Sequence, residues 1–277
     1  MTEQSSRFPE FPSFEPGSVW LVGAGPGDPG LLSLLAFHAL GEADDIVYDA
    51  LVGEGILALA GARAVRHAAG KRGGKPSASQ ADISEKLIAL ARSGRKVLRL
   101  KGGDPFIFGR GGEEALALAA AGVPFRLVPG ITAAVAGLAY AGIPITDRRI
   151  NSAVTFITGH EAGGGPPEGL DWPALAAGAP VLILYMALKH LAWMAARLMA
   201  AGLDGDTAVV LISKATTQEQ KIVETHLAAA AADAQAAELE APAIVAIGDV
   251  VNLRAALDPS ATLEARARAA AALRDAS

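Results

Sequence analysis

Three glycine-bearing turns hold most of the residues that can meet a ligand. Gly25-Pro26-Gly27-Asp28-Pro29-Gly30 follows a short apolar run, and the stretch from Arg99 to Glu114, RLKGGDPFIFGRGGEE, contains five glycines. Val128-Pro129-Gly130-Ile131-Thr132-Ala133 turns from a strand end into a helix. Glycine lets a ligand approach backbone closely, and Asp104, directly after Gly102-Gly103, can accept hydrogen bonds. The first turn satisfies G-x-G-x-x-G, and Asp49 lies about 20 residues further on, where a ribose-binding acid would sit. That is the pattern of a nicotinamide-dinucleotide site. Pro26 and Pro29 argue against it, because a pyrophosphate is cradled by backbone N–H groups and proline has none. The prolines instead make a rigid turn that brings backbone close to a ligand.

Other candidates are charged. Asp49 ends a short apolar run, and Lys71 stands in a Gly/Lys/Arg segment. Lys71, Arg72, Lys75, Arg99, Lys101, Arg110, Arg148 and Arg149 fall on expected loops. Each alone reads equally well as solvated surface; together they can counter a polyanionic ligand. The five histidines show neither H-x-H nor H-E-x-x-H spacing, and with no cysteine a thiolate zinc site, an iron–sulfur cluster and a disulfide framework are excluded. With 24 Lys+Arg against 29 Asp+Glu the formal charge is −5, which speaks against a general nucleic-acid binder. A hydrophobic fraction of 51% with 19% charged residues excludes disorder. The 60 alanines raise mean hydropathy without the Leu, Ile and Phe density of a membrane span. The stretch Leu127 to Ile145 is long enough to cross a bilayer but is broken by Pro129, Gly130, Gly137, Gly142 and Pro144. The N-terminal residues lack the apolar core of a secretory signal. The expected setting is the cytoplasm, with no membrane and no nucleic-acid partner.

The elements that must position these residues alternate. Strand signals at Val19–Gly23, Ile46–Tyr48, Ala64–His67, Lys96–Leu100 and Phe125–Val128 are separated by helical patterns at Leu31–Leu40, Ile83–Ala91, Glu113–Ala121 and Ile131–Ala141, which predicts parallel pairing in an α/β sheet. The pattern resets near Gly142–Asn151. Strands follow at Ala153–Thr158, Val181–Tyr185, Ala208–Ser213 and Ile244–Ile247, with helices at Leu188–Ala201 and Leu227–Ala237. Gln220–Thr225 alternates and suits an antiparallel strand. The predicted organisation is a flexible leader over 1–17, α/β lobes over 18–145 and 146–257, and an Ala/Arg-rich tail over 258–277 that frays.

Val22–Gly30, Val47-Tyr48-Asp49, Gly70-Lys71-Arg72, the Arg99–Glu114 loop and Val128–Ala133 together resemble the tetrapyrrole methylase family. Tyr185-Met186, Ala215-Thr216-Thr217-Gln218 and Pro242-Ala243-Ile244-Val245 extend the likeness, which runs from about Ser18 to Leu257. The resemblance implies an α/β fold of two lobes with S-adenosylmethionine in the cleft between them, and a homodimer. It also implies successive methylation of uroporphyrinogen III, an octacarboxylate, on rings A and B to give precorrin-2 for cobalamin or sirohaem synthesis. S-adenosylhomocysteine would be the coproduct, with no metal. It carries methyl-donor contacts onto Pro26, Gly102, Gly103, Asp104, Ile107, Thr132, Ala133, Met186, Ala215 and Ala243, and proton acceptor and donor roles onto Asp49 and Lys71. Arg72, Arg110 and Arg149 become candidates for binding substrate carboxylates. Read without the family, Thr132 also suits a helix-start hydroxyl, Met186 core packing, Asp49 a ribose- or turn-stabilising acid and Lys71 a plain carboxylate anchor. Glycine is frequent in the family where this chain has Ala187 and Ala215. A precorrin methylase acting later on the corrin ring, and a dinucleotide-binding protein, are the alternatives.

Overall fold

Apolar runs without alternation mark strands covered on both faces, and the run VWLVG in the first half is one of them. In the computed structural model, which describes residues 10–69, 80–161 and 163–275, the chain forms two units, Met1–Thr132 and Ala133–Ser277. The first contains β1 (Val19–Gly23), α1 (Leu34–Glu42), β2 (Asp45–Tyr48), α2 (Glu54–Leu57), β3 (Val65–Ala68), α3 (Gln80–Arg92), β4 (Val97–Lys101), α4 (Gly111–Ala120) and β5 (Phe125–Val128). Its sheet has the order β3-β2-β4-β1-β5, all parallel. Every residue of β1, β2 and β4 is buried. Because all five strands run the same way, the loops after Gly23, Tyr48, Lys101 and Val128 leave from one edge, the edge where open α/β sheets bind ligands.

Two expectations for this unit are corrected. Residues 10–17 are not a flexible leader: Phe14 is 2% exposed within the core and stacks on Trp20, and Phe11 stacks on His38. Apolar aromatic area outweighs the polar, Pro-rich composition there. The first helix begins at Leu34 rather than Leu31. Pro29–Leu31 form a separate 3₁₀ turn capped by Asp28, and Ser33 Oγ accepts from Ala36 N at 3.1 Å to start α1.

The second unit opens with α5 (Ala133–Tyr140), a helix the sequence assigns to the first lobe with its join near residue 145. Gly137 explains the association, since a Cβ there would lie 3.0 Å from Ala215 Cβ and from Ile244 Cδ1 of the second unit. Then follow β6 (Thr155–Thr158), α6 (Trp172–Gly178), β7 (Leu182–Tyr185), α7 (Leu191–Ala200), β8 (Ala208–Ser213), β9 (Lys221–His226), α8 (Ala230–Ala236), β10 (Ala243–Ile247), α9 (Arg254–Leu257) and α10 (Leu263–Asp275). The order is β6-β7-β10-β8-β9, parallel only between β6 and β7. The alternating segment is indeed an antiparallel edge strand, β9. Among the described residues no helix is long and apolar enough to cross a membrane.

Candidate active site

Three glycines fuse the loops at the edge of the first sheet. A Cβ on Gly23 would lie 2.6 Å from the Gly103 carbonyl oxygen and closer still to Gly130, and one on Gly130 would fall on that same oxygen. Gly25 and Gly103 exchange backbone hydrogen bonds of 3.2 and 2.7 Å, with both residues at positive φ, +73° and +65°. Asp104 ties the junction together: Oδ2 accepts from Gly130 N at 3.0 Å and Oδ1 from Phe106 N at 2.8 Å. Thus Gly102, Gly103 and Asp104 stand at one backbone crossing with the turn that holds Pro26, and Ile107 sits half-buried in the same loop. Gly30–Ser33 and Pro129–Ile131 line an open groove beside it.

The second glycine set in the long loop has a structural cause. Gly111 N donates to the Pro105 carbonyl at 2.9 Å, and a Cβ at Gly109 or Gly111 would clash with that oxygen. The dinucleotide reading fares worse. The Ala24 and Gly25 amides donate to Lys101 and Gly103 carbonyls, Gly30 N donates to Asp28 Oδ1 at 2.7 Å, and Leu31 N to the Asp28 carbonyl. With both prolines lacking N–H, few donors are left to cradle a pyrophosphate.

Asp49 follows β2 on this edge and is 29% exposed at its side chain. Arg99 Nη2 reaches its Oδ1 at 2.5 Å and Lys101 Nζ its Oδ2 at 3.3 Å. Arg99 and Lys101 alternate with Leu98 and Leu100 along β4, so both point to one face, and both are buried. A buried cation needs a counter-charge. Glu114 of α4 supplies it, as the acceptor of bonds from Arg99 Nε at 3.0 Å and Lys101 Nζ at 3.2 Å. The sequence alone suggests loop positions for both cations and no role for Glu114. The spacing of Arg99 and Lys101 within a strand was the available signal.

On the second unit the predicted positions also collect at one sheet edge. Met186 follows the end of β7, Tyr185 pairs with Ile244, and Ala243 pairs with Ser213. Register therefore brings Met186, Ala243 and Ala215 to the same edge. Met186 is not core: it is 43% exposed and held at φ +54°. Gly159 N donates to the Tyr185 carbonyl at 2.6 Å, and no Cβ fits there against Met186 and Ala187. Ala215 is buried between Lys214 and Thr216, both at positive φ, with its methyl directed at Gly137. Ala133 begins α5 and Thr132 immediately precedes it.

Of the arginines considered for substrate carboxylates, Arg110 and Arg149 are described, and each pairs with a neighbouring acid. Arg110 is bonded through two nitrogens to Glu113, at 2.8 and 2.7 Å, on the exposed start of α4. Arg149 pairs with Asp147 at 3.3 Å in an exposed turn, and hydrogen bonds from the Arg149 backbone and side chain hold the Asp147 carboxyl below the usual aspartate range. Lys71 and Arg72 lie outside the described residues. Among the described residues, no group of three His, Asp or Glu side chains is arranged to hold a metal ion.

The first unit is thus a parallel sheet whose C-terminal edge bears side-chain-free crossings, and the second is built on a mixed sheet. The chain belongs to the tetrapyrrole (corrin/porphyrin) methylases, whose family model matches residues 18–231. It is 58% identical, over 95% of its length and 94% of the relative's, to a uroporphyrinogen-III C-methyltransferase of a Sinorhizobium species. Among solved structures it is similar to the uroporphyrin-III C-methyltransferase of Thermus thermophilus complexed with S-adenosylhomocysteine. That likeness has a TM-score of 0.74 and 37% identity, covering 85% of this chain and 99% of the other. A cobalt precorrin-4 methyltransferase gives a TM-score of 0.76 at 25% identity, covering 87% and 98%.

Proposed function

We propose that this enzyme transfers methyl groups from S-adenosylmethionine to uroporphyrinogen III, yielding precorrin-2 and S-adenosylhomocysteine. The observation that carries the reading is the Gly23–Gly103–Gly130 crossing with its Asp104 tie, a backbone surface at the ligand-binding edge of a parallel sheet. The relative at 58% identity acts by name on the same substrate, while the cobalt precorrin-4 methylase stands at 25%. The donor-binding residues are Pro26, Gly102, Gly103, Asp104, Ile107 and Thr132 on the first unit, with Ala133, Met186, Ala215 and Ala243 on the second. The exposed thioether of Met186 offers a polarizable surface to an adenine or sulfonium group.

In the reaction a pyrrole carbon attacks the sulfonium methyl in line. The new C–C bond forms as the C–S bond breaks, and its electron pair stays on sulfur. The cationic ring system then loses a proton from a bridging carbon. Asp49 is the acceptor and Lys71 holds a substrate carboxylate or returns a proton. Most of the rate comes from holding donor and ring at attack distance, a contribution that can reach roughly 7–11 kcal/mol. Arg72, Arg110 and Arg149 meet substrate carboxylates, Arg110 and Arg149 by exchanging their present partners. The enzyme works as a homodimer in the cytoplasm, which sedimentation and fractionation test. Incubation with uroporphyrinogen III and methyl-labelled S-adenosylmethionine is expected to place label in a dimethylated tetrapyrrole. Label appearing only with a corrin-stage substrate would move the enzyme to the later step.

A further inference from the structure

Linked to Asp49 through two cations lies a second, fully buried acid. Glu114 is 0% exposed, and its Oε1 accepts from Arg99 Nε at 3.0 Å, Lys101 Nζ at 3.2 Å and Gln80 Nε2 at 2.7 Å, with Arg99 Nη2 at 2.9 Å. Among the described residues, its buried Oε2 has no hydrogen-bond partner. The same two cations occupy the two oxygens of Asp49. Two carboxylates therefore share two cations, one acid enclosed behind β4 and the other at the sheet edge. Enclosing three charges beside a partly exposed fourth is a poor device for stability, since apolar side chains of similar volume usually do as well or better. It is a good device for geometry. Arg99 and Lys101, gripped from behind, cannot follow Asp49 outward or swing into the core.

We propose that Glu114 is a positioning residue for Asp49, fixing the direction of its carboxylate through Arg99 and Lys101. The proposal rests on Asp49 being the proton acceptor, and a double-mutant cycle separates the two. Glu114→Gln keeps the shape but removes the charge. It is expected to lower kcat by about tenfold or more while the KM for S-adenosylmethionine and the affinity for S-adenosylhomocysteine stay within about twofold. Added to Asp49→Asn it is expected to cost nothing further in kcat, because interacting residues are not additive. If Asp49→Asn is slow and Glu114→Gln slows it again by the same factor, the positioning role is overturned while Asp49 keeps its own. If Asp49→Asn retains full kcat, the acceptor role falls and the positioning role with it. Loss of S-adenosylhomocysteine affinity in step with kcat in Glu114→Gln would mean a merely structural acid. Should that variant not fold, Gln80→Leu, at the half-buried start of α3, runs the same cycle. A kcat loss that vanishes beside Asp49→Asn is expected, and no loss, or one that persists, overturns the proposal.

Discussion

Both Asp49 oxygens are occupied by cations, so a proton accepted there either displaces Arg99 or Lys101 or enters on a remaining lone pair. Asp49→Asn retains size and hydrogen bonding but removes the accepting charge. It is expected to lower kcat by about 10²–10⁴-fold with little change in S-adenosylhomocysteine affinity, measured by steady-state kinetics and calorimetry. Lys71→Ala is expected to raise the KM for the tetrapyrrole more than it lowers kcat. Should both variants raise KM alone, water or the substrate's own carboxylates take the proton. The glycine turns and Asp49 stand out in the sequence because their pattern is local. Glu114 does not, because its meaning lies in partners on β4 and α3 and in a residue beyond β2 that no spacing rule connects to it.

At the scale of elements, β2 begins with a buried acid. Burial alone would push the Asp45 carboxyl up, but hydrogen bonds from His67 on β3 and from Arg95 outweigh it and hold the carboxyl below the ordinary aspartate range. A depressed acid contributes stability above its unfolded pKa, and loses it as pH falls through the folded value. Chemical denaturation of Asp45→Asn against the parent across pH is therefore expected to show a gap that is full above about pH 5 and closes below about pH 3.9, the unfolded aspartate value. An unchanged gap at pH 3 would assign the effect to packing. Strand positions were nearly all legible here, from VWLVG to AIVAI, because buried strands carry continuous apolar runs. Strand order was not: β10 inserts between β7 and β8 through pairings that only the folded sheet makes. The short helices α2 and α6 escaped notice, since α6 depends on its Asp171 cap and Pro173 start rather than on periodicity.

For the molecule as a whole, the choice of ligand class follows from where the backbone donors go. The Gly25–Gly30 turn commits its Gly25 and Gly30 amides to protein acceptors and has none at Pro26 and Pro29, so S-adenosylhomocysteine is expected to bind measurably by calorimetry and NAD(P) not to compete at comparable concentration. Tighter NAD(P) binding would restore the dinucleotide reading. The division into two units was visible in the resetting of the pattern. Its exact place was not, because α5 is small, apolar and uncharged, and its allegiance shows only in folded contacts, Gly137 against Ala215 and Ile244 and Ala134 N donating to the Tyr185 hydroxyl.

The crossing of Gly23, Gly103 and Gly130 also bears on how this sequence can drift. A methyl at Gly23 strikes both of the others, and one at Gly130 strikes Gly23 and the Gly103 carbonyl, so neither position relaxes while the rest stay put. A side chain at Gly103 would meet the further obstacle of its positive φ. The route away from glycine is closed at each single step. Gly94, although also at positive φ, and Gly112 have nothing within 4 Å of a Cβ. In a saturation library selected for activity, the three crossing codons are expected to return as glycine while Gly112 varies freely. Recovery of alanine at Gly23 or Gly130 would show that the loops can part.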